Sequence, residues 1–209
     1  MNEEKTKTLI VMSFFVTAGA MDSISTPDLD QTRGIFWRAN IIQHRSLITH
    51  SAILCWILFQ IANRVDMPQA FRKWVRYFAA GTGVGLSVHL SFDLFPMAWK
   101  GYALIHIPLV GNLHWIPFDG DLAPVIFSFT WLFANMTYCW HLIAKLGLNR
   151  MLWVICVSTT IAFFLIEAQS ERTFWGPLII LSAGILGTFR PDITHSVLMS
   201  ARTFFKREK

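Results

Sequence analysis

What this chain can fold into is constrained above all by the way its apolar residues cluster. They gather into six runs, about Thr8–Met21, Leu47–Ala62, Tyr77–Phe95, Leu122–Leu146, Met151–Ala168 and Phe174–Phe189, with charged residues between them. A soluble domain spreads charge over all its elements, to about 25% of its residues. Here only 15% of residues are charged and 54% are hydrophobic. Runs of this kind read as helices that cross a bilayer. A spanning helix takes roughly 17 to 25 residues, so the third to fifth runs suffice alone, and the others are short, tilted or tucked among neighbours. The expected fold is all-α: a polytopic transmembrane bundle of five to six helices, with residues 1–209 forming one integral membrane domain. The first run has basic flanks, and Ala18-Gly19-Ala20 resembles a cleavage site, but it reads as a first membrane helix rather than a signal peptide.

The basic residues set an orientation. With a cytoplasmic N-terminus and six crossings, 13 of the 18 Lys and Arg fall inside, leaving 5 outside: Arg33, Arg38, Arg45, Lys100 and Arg172. The positive-inside rule favours this arrangement. Residues 22–46 and 100–121 become long outer loops, and residues 190–209 a basic cytoplasmic tail. Loops of that length are usually functional or disordered. The net charge of +5 and pI near 9.4 need no nucleic-acid partner, since the cations lie between apolar runs rather than on a basic recognition module. Membrane lipids are the expected partners. Cys55, Cys139 and Cys156 each sit inside an apolar run and form no C-x-x-C pair, so they read as small buried residues.

Three short pieces carry candidate chemistry. Pro27-Asp28-Leu29-Asp30 offers two carboxylates in extended or turn structure, and alone would serve as well for a helix cap. His44-Arg45 precedes His50 at the start of the second run. His89 and Asp93 stand four apart near the end of the third and share a helix face, which suits a buried pair as well as a metal site. Ionisable groups inside a membrane segment normally pair, bind something or face a polar interior. Under the orientation above, all three pieces meet at the outer face of the membrane. Mixed imidazole and carboxylate donors suit zinc, manganese or iron(II), several carboxylates can support a two-metal site, and an arginine suits phosphate.

At these residues the chain resembles the membrane-bound metal-dependent hydrolases of the YdjM type, also described as LexA-binding and inner-membrane-associated. Their pattern is a Pro-Asp-x-Asp piece, then His-Arg-Gly-x-Thr-His-Ser, then His-x-x-x-Asp followed by Thr-Pro. The matches here are Pro27, Asp28 and Asp30; His44, Arg45, Thr49, His50 and Ser51; and His89, Asp93 and Pro96. The resemblance covers about residues 21–108, and the C-terminal half matches only in being hydrophobic. The family is placed near the zinc-dependent phospholipases C. The resemblance therefore implies phosphoester hydrolysis in a bacterial-type inner membrane, with the site on the outer side. The metal, zinc before manganese or iron, would be held by Asp28, Asp30, His44, His50, His89 and Asp93, with Arg45 as the catalytic cation. The chain departs from the pattern in three places. Ser46-Leu47-Ile48 carries an extra residue, Met1–Ala20 has no histidine, and Leu122-Ala123-Pro124 lacks an acidic residue. His106 or His114 is a candidate replacement ligand. The expected function is hydrolysis of a phosphoester such as a phospholipid at the membrane surface. The alternative is a non-catalytic membrane sensor or scaffold that keeps the fold; a transporter is a distant third, since no matching broken helices appear in two halves.

Overall fold

A computed structural model describes residues 47–95 and 123–189, together with Val11, Met12, Phe14, Thr17, Ala18, His106, Ile107, Gly111 and Asn112. The described chain is all-α apart from one two-residue antiparallel ladder, which pairs His106 with Asn112 and Ile107 with Gly111. Five helices are described: α1 (Ile53–Arg64), α2 (Gln69–Phe92), α3 (Ala123–Lys145), α4 (Arg150–Ser170) and α5 (Trp175–Phe189). Each corresponds to one of the last five apolar runs. Of the first run, the described residues are Val11, Met12, Phe14, Thr17 and Ala18, and all five are helical. The outer loop at 22–46 and the tail at 190–209 lie outside the described residues, as does all of 100–121 except the ladder.

The helix α2 is the centre of the packing, touching each of the other four. It begins directly after Pro68, two turns ahead of the apolar run, because Gln69–Arg76 are mostly good helix formers whose polar groups remain partly exposed. From Ala79 to Phe92 every residue is buried. The small residues Ala79, Ala80, Gly81, Gly83 and Gly85 let neighbours close in on that stretch. A Cβ on Gly81 would stand 2.7 Å from the Phe14 carbonyl oxygen, so the N-terminal helical residues lie directly against the α2 backbone. A Cβ on Gly83 would meet Ile143 of α3 at 2.9 Å and Cys55 of α1 at 3.2 Å. Close helix approach through small residues maximises dispersion contacts. Further along α2, Val88, Leu90 and Phe92 join Leu132, Met136, Phe164 and Leu181 in a second cluster drawn from α3, α4 and α5.

A tight connection joins α3 to α4. Gly147 takes a left-handed φ of 65°, available to glycine without a Cβ penalty, and ends the α3 run. Two residues later the Asn149 side chain accepts from the Leu152 amide at 3.0 Å and caps α4.

Among the described residues, α4 alone is both long and apolar enough to cross a membrane. Its apolar window is only 28% buried, whereas the core helix of a soluble protein would be mostly covered. The helices α2 and α3, with 24 and 23 residues, have the length but not the composition. Arg76, His89 and the glycines and serines of the buried stretch dilute the one; Asn135, Tyr138, Trp140 and His141 dilute the other. The remaining helices α1 and α5 are shorter, at 12 and 15 residues.

Candidate metal centre

The site forms where the turn before α1 meets the C-terminal end of α2. On α2, His89 and Asp93 are one turn apart on the same face, and the Asp93 amide donates to the His89 carbonyl at 3.1 Å, so the helix backbone fixes both. The carboxylate Oδ2 of Asp93 stands 3.4 Å from His89 Nε2 and 3.1 Å from His50 Nε2. The two imidazoles are tilted by 52° to each other with ring centroids 5.5 Å apart. All three side chains are buried, His50 completely.

The sequence reading puts His50 in the first turns of its helix. The structure places it in a turn instead, three residues before α1 begins at Ile53. The cause is local. The Ser51 hydroxyl donates back to the Ile48 carbonyl at 2.6 Å, a side-chain bond that competes with helix propagation. That turn swings His50 inward. A contact between Thr49 Oγ1 and His50 Nδ1 at 3.0 Å leaves Nε2 as the nitrogen that faces Asp93.

The donor set fits a metal ion. One donor atom from each of His50, His89 and Asp93 lies within 4.8 Å of the others. Two ligand atoms of a tetrahedral zinc ion, each at about 2.0–2.2 Å, would be roughly 3.3 Å apart. The separations of Asp93 Oδ2 from the two histidine nitrogens, 3.1 and 3.4 Å, bracket that spacing, and the third pair lies within 4.8 Å. Two imidazoles and one carboxylate also match the three-ligand pattern of catalytic sites, which keep a fourth position for water. With neutral histidines and an ionised aspartate, a bound divalent ion would leave a net charge of about +1 in a buried place, and that favours an anionic ligand.

Two polar side chains that the sequence reading passes over complete the surroundings. On α3, Trp131 Nε1 donates to the His50 carbonyl at 3.0 Å, and Asn135 Oδ1 accepts from the Ala52 amide at 2.9 Å. An asparagine and a tryptophan inside a long apolar run were the available signal. Of the other expected site residues, Asp28, Asp30, His44 and Arg45 lie outside the described residues, as does His114. His106 falls in the short ladder. The structure therefore brings together three of the six expected ligands, drawn from two of the three sequence pieces.

No family model, characterised protein or solved structure matches this chain.

Proposed function

We propose that this protein is a multi-pass membrane hydrolase whose metal centre cleaves a phosphoester, with a phospholipid presented at the membrane surface as the substrate class. The observation that carries the reading is the convergence of His50, His89 and Asp93, buried and within ligand distance of one another, from separate elements. Ionisable groups buried in an otherwise apolar bundle normally mark function. A bound divalent ion, zinc before manganese or iron, would supply a water of lowered pKa and a Lewis acid for the phosphoryl oxygen.

The chain's own groups have distinct tasks. His50 and His89 present Nε2 donors, and Asp93 supplies charge balance between them. Thr49 fixes the His50 ring through Nδ1, the kind of outer contact that orients metal-binding histidines. Arg45, five residues before His50, is assigned to hold the phosphate, and Asp28, Asp30 and His44 are proposed as further ligands from the resemblance to the YdjM-type hydrolases. A lipid substrate is supported by an apolar groove of about 310 Å³ lined by Phe95, Val125, Ile126, Phe129 and Thr130. Phe95 follows Asp93 by two residues and Thr130 adjoins Trp131, so the groove borders the same end of the bundle and has the character an acyl chain needs.

Multi-pass insertion in a bacterial-type inner membrane, with this end outward, is part of the same reading. It draws on the Lys/Arg distribution and on the apolar outward faces of α3, α4 and α5, where Ile126, Val154 and Ile179 are each at least 60% exposed. The second reading, a non-catalytic scaffold, draws on the fact that Asp93 Oδ2 lies within ion-pair distance of both histidines.

Elemental analysis of the detergent-purified full chain separates the two. Wild type is expected to carry stoichiometric zinc or manganese, and a His50→Ala, His89→Ala double variant to carry none. An absence of metal from wild type, after purification in metal-supplemented buffer, would overturn the hydrolase and leave the scaffold.

A further inference from the structure

The three donor side chains are not held in the same way. The backbone of α2 fixes His89 and Asp93. His50 stands in a turn outside any helix, so no helical ladder sets its backbone position. The N-cap residue of the helix that follows, Ala52, offers no side-chain cap, and Ser51 Oγ takes the Ile53 amide only at 3.4 Å.

Both deficits are met from α3. Trp131 and Asn135 are four residues apart and so share one face of that helix. Trp131 Nε1 donates to the carbonyl of His50 itself, at 3.0 Å. Asn135 Oδ1 takes the Ala52 amide at 2.9 Å, two residues further along the chain. Asn135 Nδ2 donates back to the Trp131 carbonyl at 2.9 Å, which holds the amide in the orientation that aims Oδ1 at Ala52. The turn is thus clamped at two points by one rigid element 81 and 83 residues away in the chain. The His50 side chain carried by this clamped turn has its Nε2 3.1 Å from Asp93 Oδ2.

We propose that Trp131 and Asn135 are positioning residues for the metal ligand His50, so that α3 tunes the affinity and geometry of a centre to which it contributes no ligand. This inference rests on reading His50, His89 and Asp93 as a metal centre. Neither residue would be a ligand to a bound ion; each bonds the His50–Ala52 backbone instead. Outer contacts of this kind typically change metal affinity by about 10- to 100-fold.

The test uses Co²⁺ as a spectroscopic probe on the full chain in detergent, with wild type, Trp131→Phe and Asn135→Ala compared. Trp131→Phe keeps an aromatic ring in place and removes the N–H donor together with the rest of the five-membered ring, and Asn135→Ala removes the second bond without touching that ring. The expected result is Co²⁺ binding weakened by roughly tenfold in each variant, with an altered d–d absorption envelope and little change in the thermal midpoint. A purely structural role would lower the midpoint and leave affinity and spectrum as in wild type, which overturns the positioning role while the metal centre stands. If wild type itself binds no Co²⁺ and shows no d–d bands, the metal centre fails and the inference falls with it. Should one variant not fold, the other decides alone, because the two bonds are independent.

Discussion

The helices α2 and α4 are of similar length and are built inside out relative to each other. In α2 the stretch from Ala79 to Phe92 is wholly buried, yet it contains three glycines, two serines, a threonine and a histidine. In α4 the outward residues Val154, Val157, Ile161 and Leu165 are apolar and between 49% and 60% exposed. A soluble protein distributes these characters the other way round. The pairing makes sense where the surroundings are apolar: polarity is kept inside, where protein groups satisfy it, and hydrocarbon-like side chains face out. The contrast also explains why two of the three candidate metal ligands lie at the end of α2. Only a helix enclosed by four others can carry a histidine and an aspartate whose partners are supplied by protein rather than by water.

The sharpest way to break the contrast is to place a charge on the α4 face. Ile161 is near the middle of α4 and 55% exposed. If that face meets lipid, Ile161→Asp costs about 3 kcal/mol of insertion energy, and most of the variant should be lost from the washed membrane fraction. On a water-facing surface the same change would stay within about 0.5 kcal/mol. Normal yield in the membrane would therefore show that α4 packs against something other than lipid.

A second experiment compares how tightly the two regions are packed. Gly81→Ala on α2 places a methyl group 2.7 Å from the Phe14 carbonyl oxygen, a backbone atom with little room to move. Gly184→Ala on α5 meets Met136 Cε at 2.6 Å, the free end of a flexible side chain that can swing aside. Overpacking costs about 1–3 kcal/mol where neighbours cannot yield, and alanine regains up to about 1 kcal/mol of helix propensity. Gly81→Ala should therefore lower the thermal midpoint in detergent clearly, and Gly184→Ala should leave it almost unchanged. Equal effects would mean that α2 is no more closely packed than the outer helices.

The apolar runs made the helices legible, since five runs became five helices with ends displaced by up to two turns. The largest displacements have identifiable causes. Ser51 turns the chain before α1, and Gln69–Arg76 extend α2 through residues that helices accept but hydropathy ignores. His89 and Asp93 were legible because their spacing of four is local to one helix. That His50 would join them was suggested by the topology and by the family resemblance, and its place in a turn depends on a hydroxyl bond that no periodicity reveals. Trp131 and Asn135 were not legible as site residues. Their function depends on the tertiary packing of α3 against the turn, across 81 and 83 residues of chain.

The smallest expected effect concerns how helices begin. For α1, the amide at Ala52 is satisfied by another helix, through Asn135. For α4, the cap is local: Asn149 accepts from Leu152 three residues on. Removing a local cap costs about 1 kcal/mol and affects the first turn of its own helix. Asn149→Ala should thus lower the thermal midpoint slightly while leaving metal content at the wild-type level, because the Asn149 side chain bonds the first turn of its own helix. A fall in metal content in this variant would show that the two regions are coupled through the bundle. The separation between a chemical α2 and a purely embedding α4 would then have to be given up.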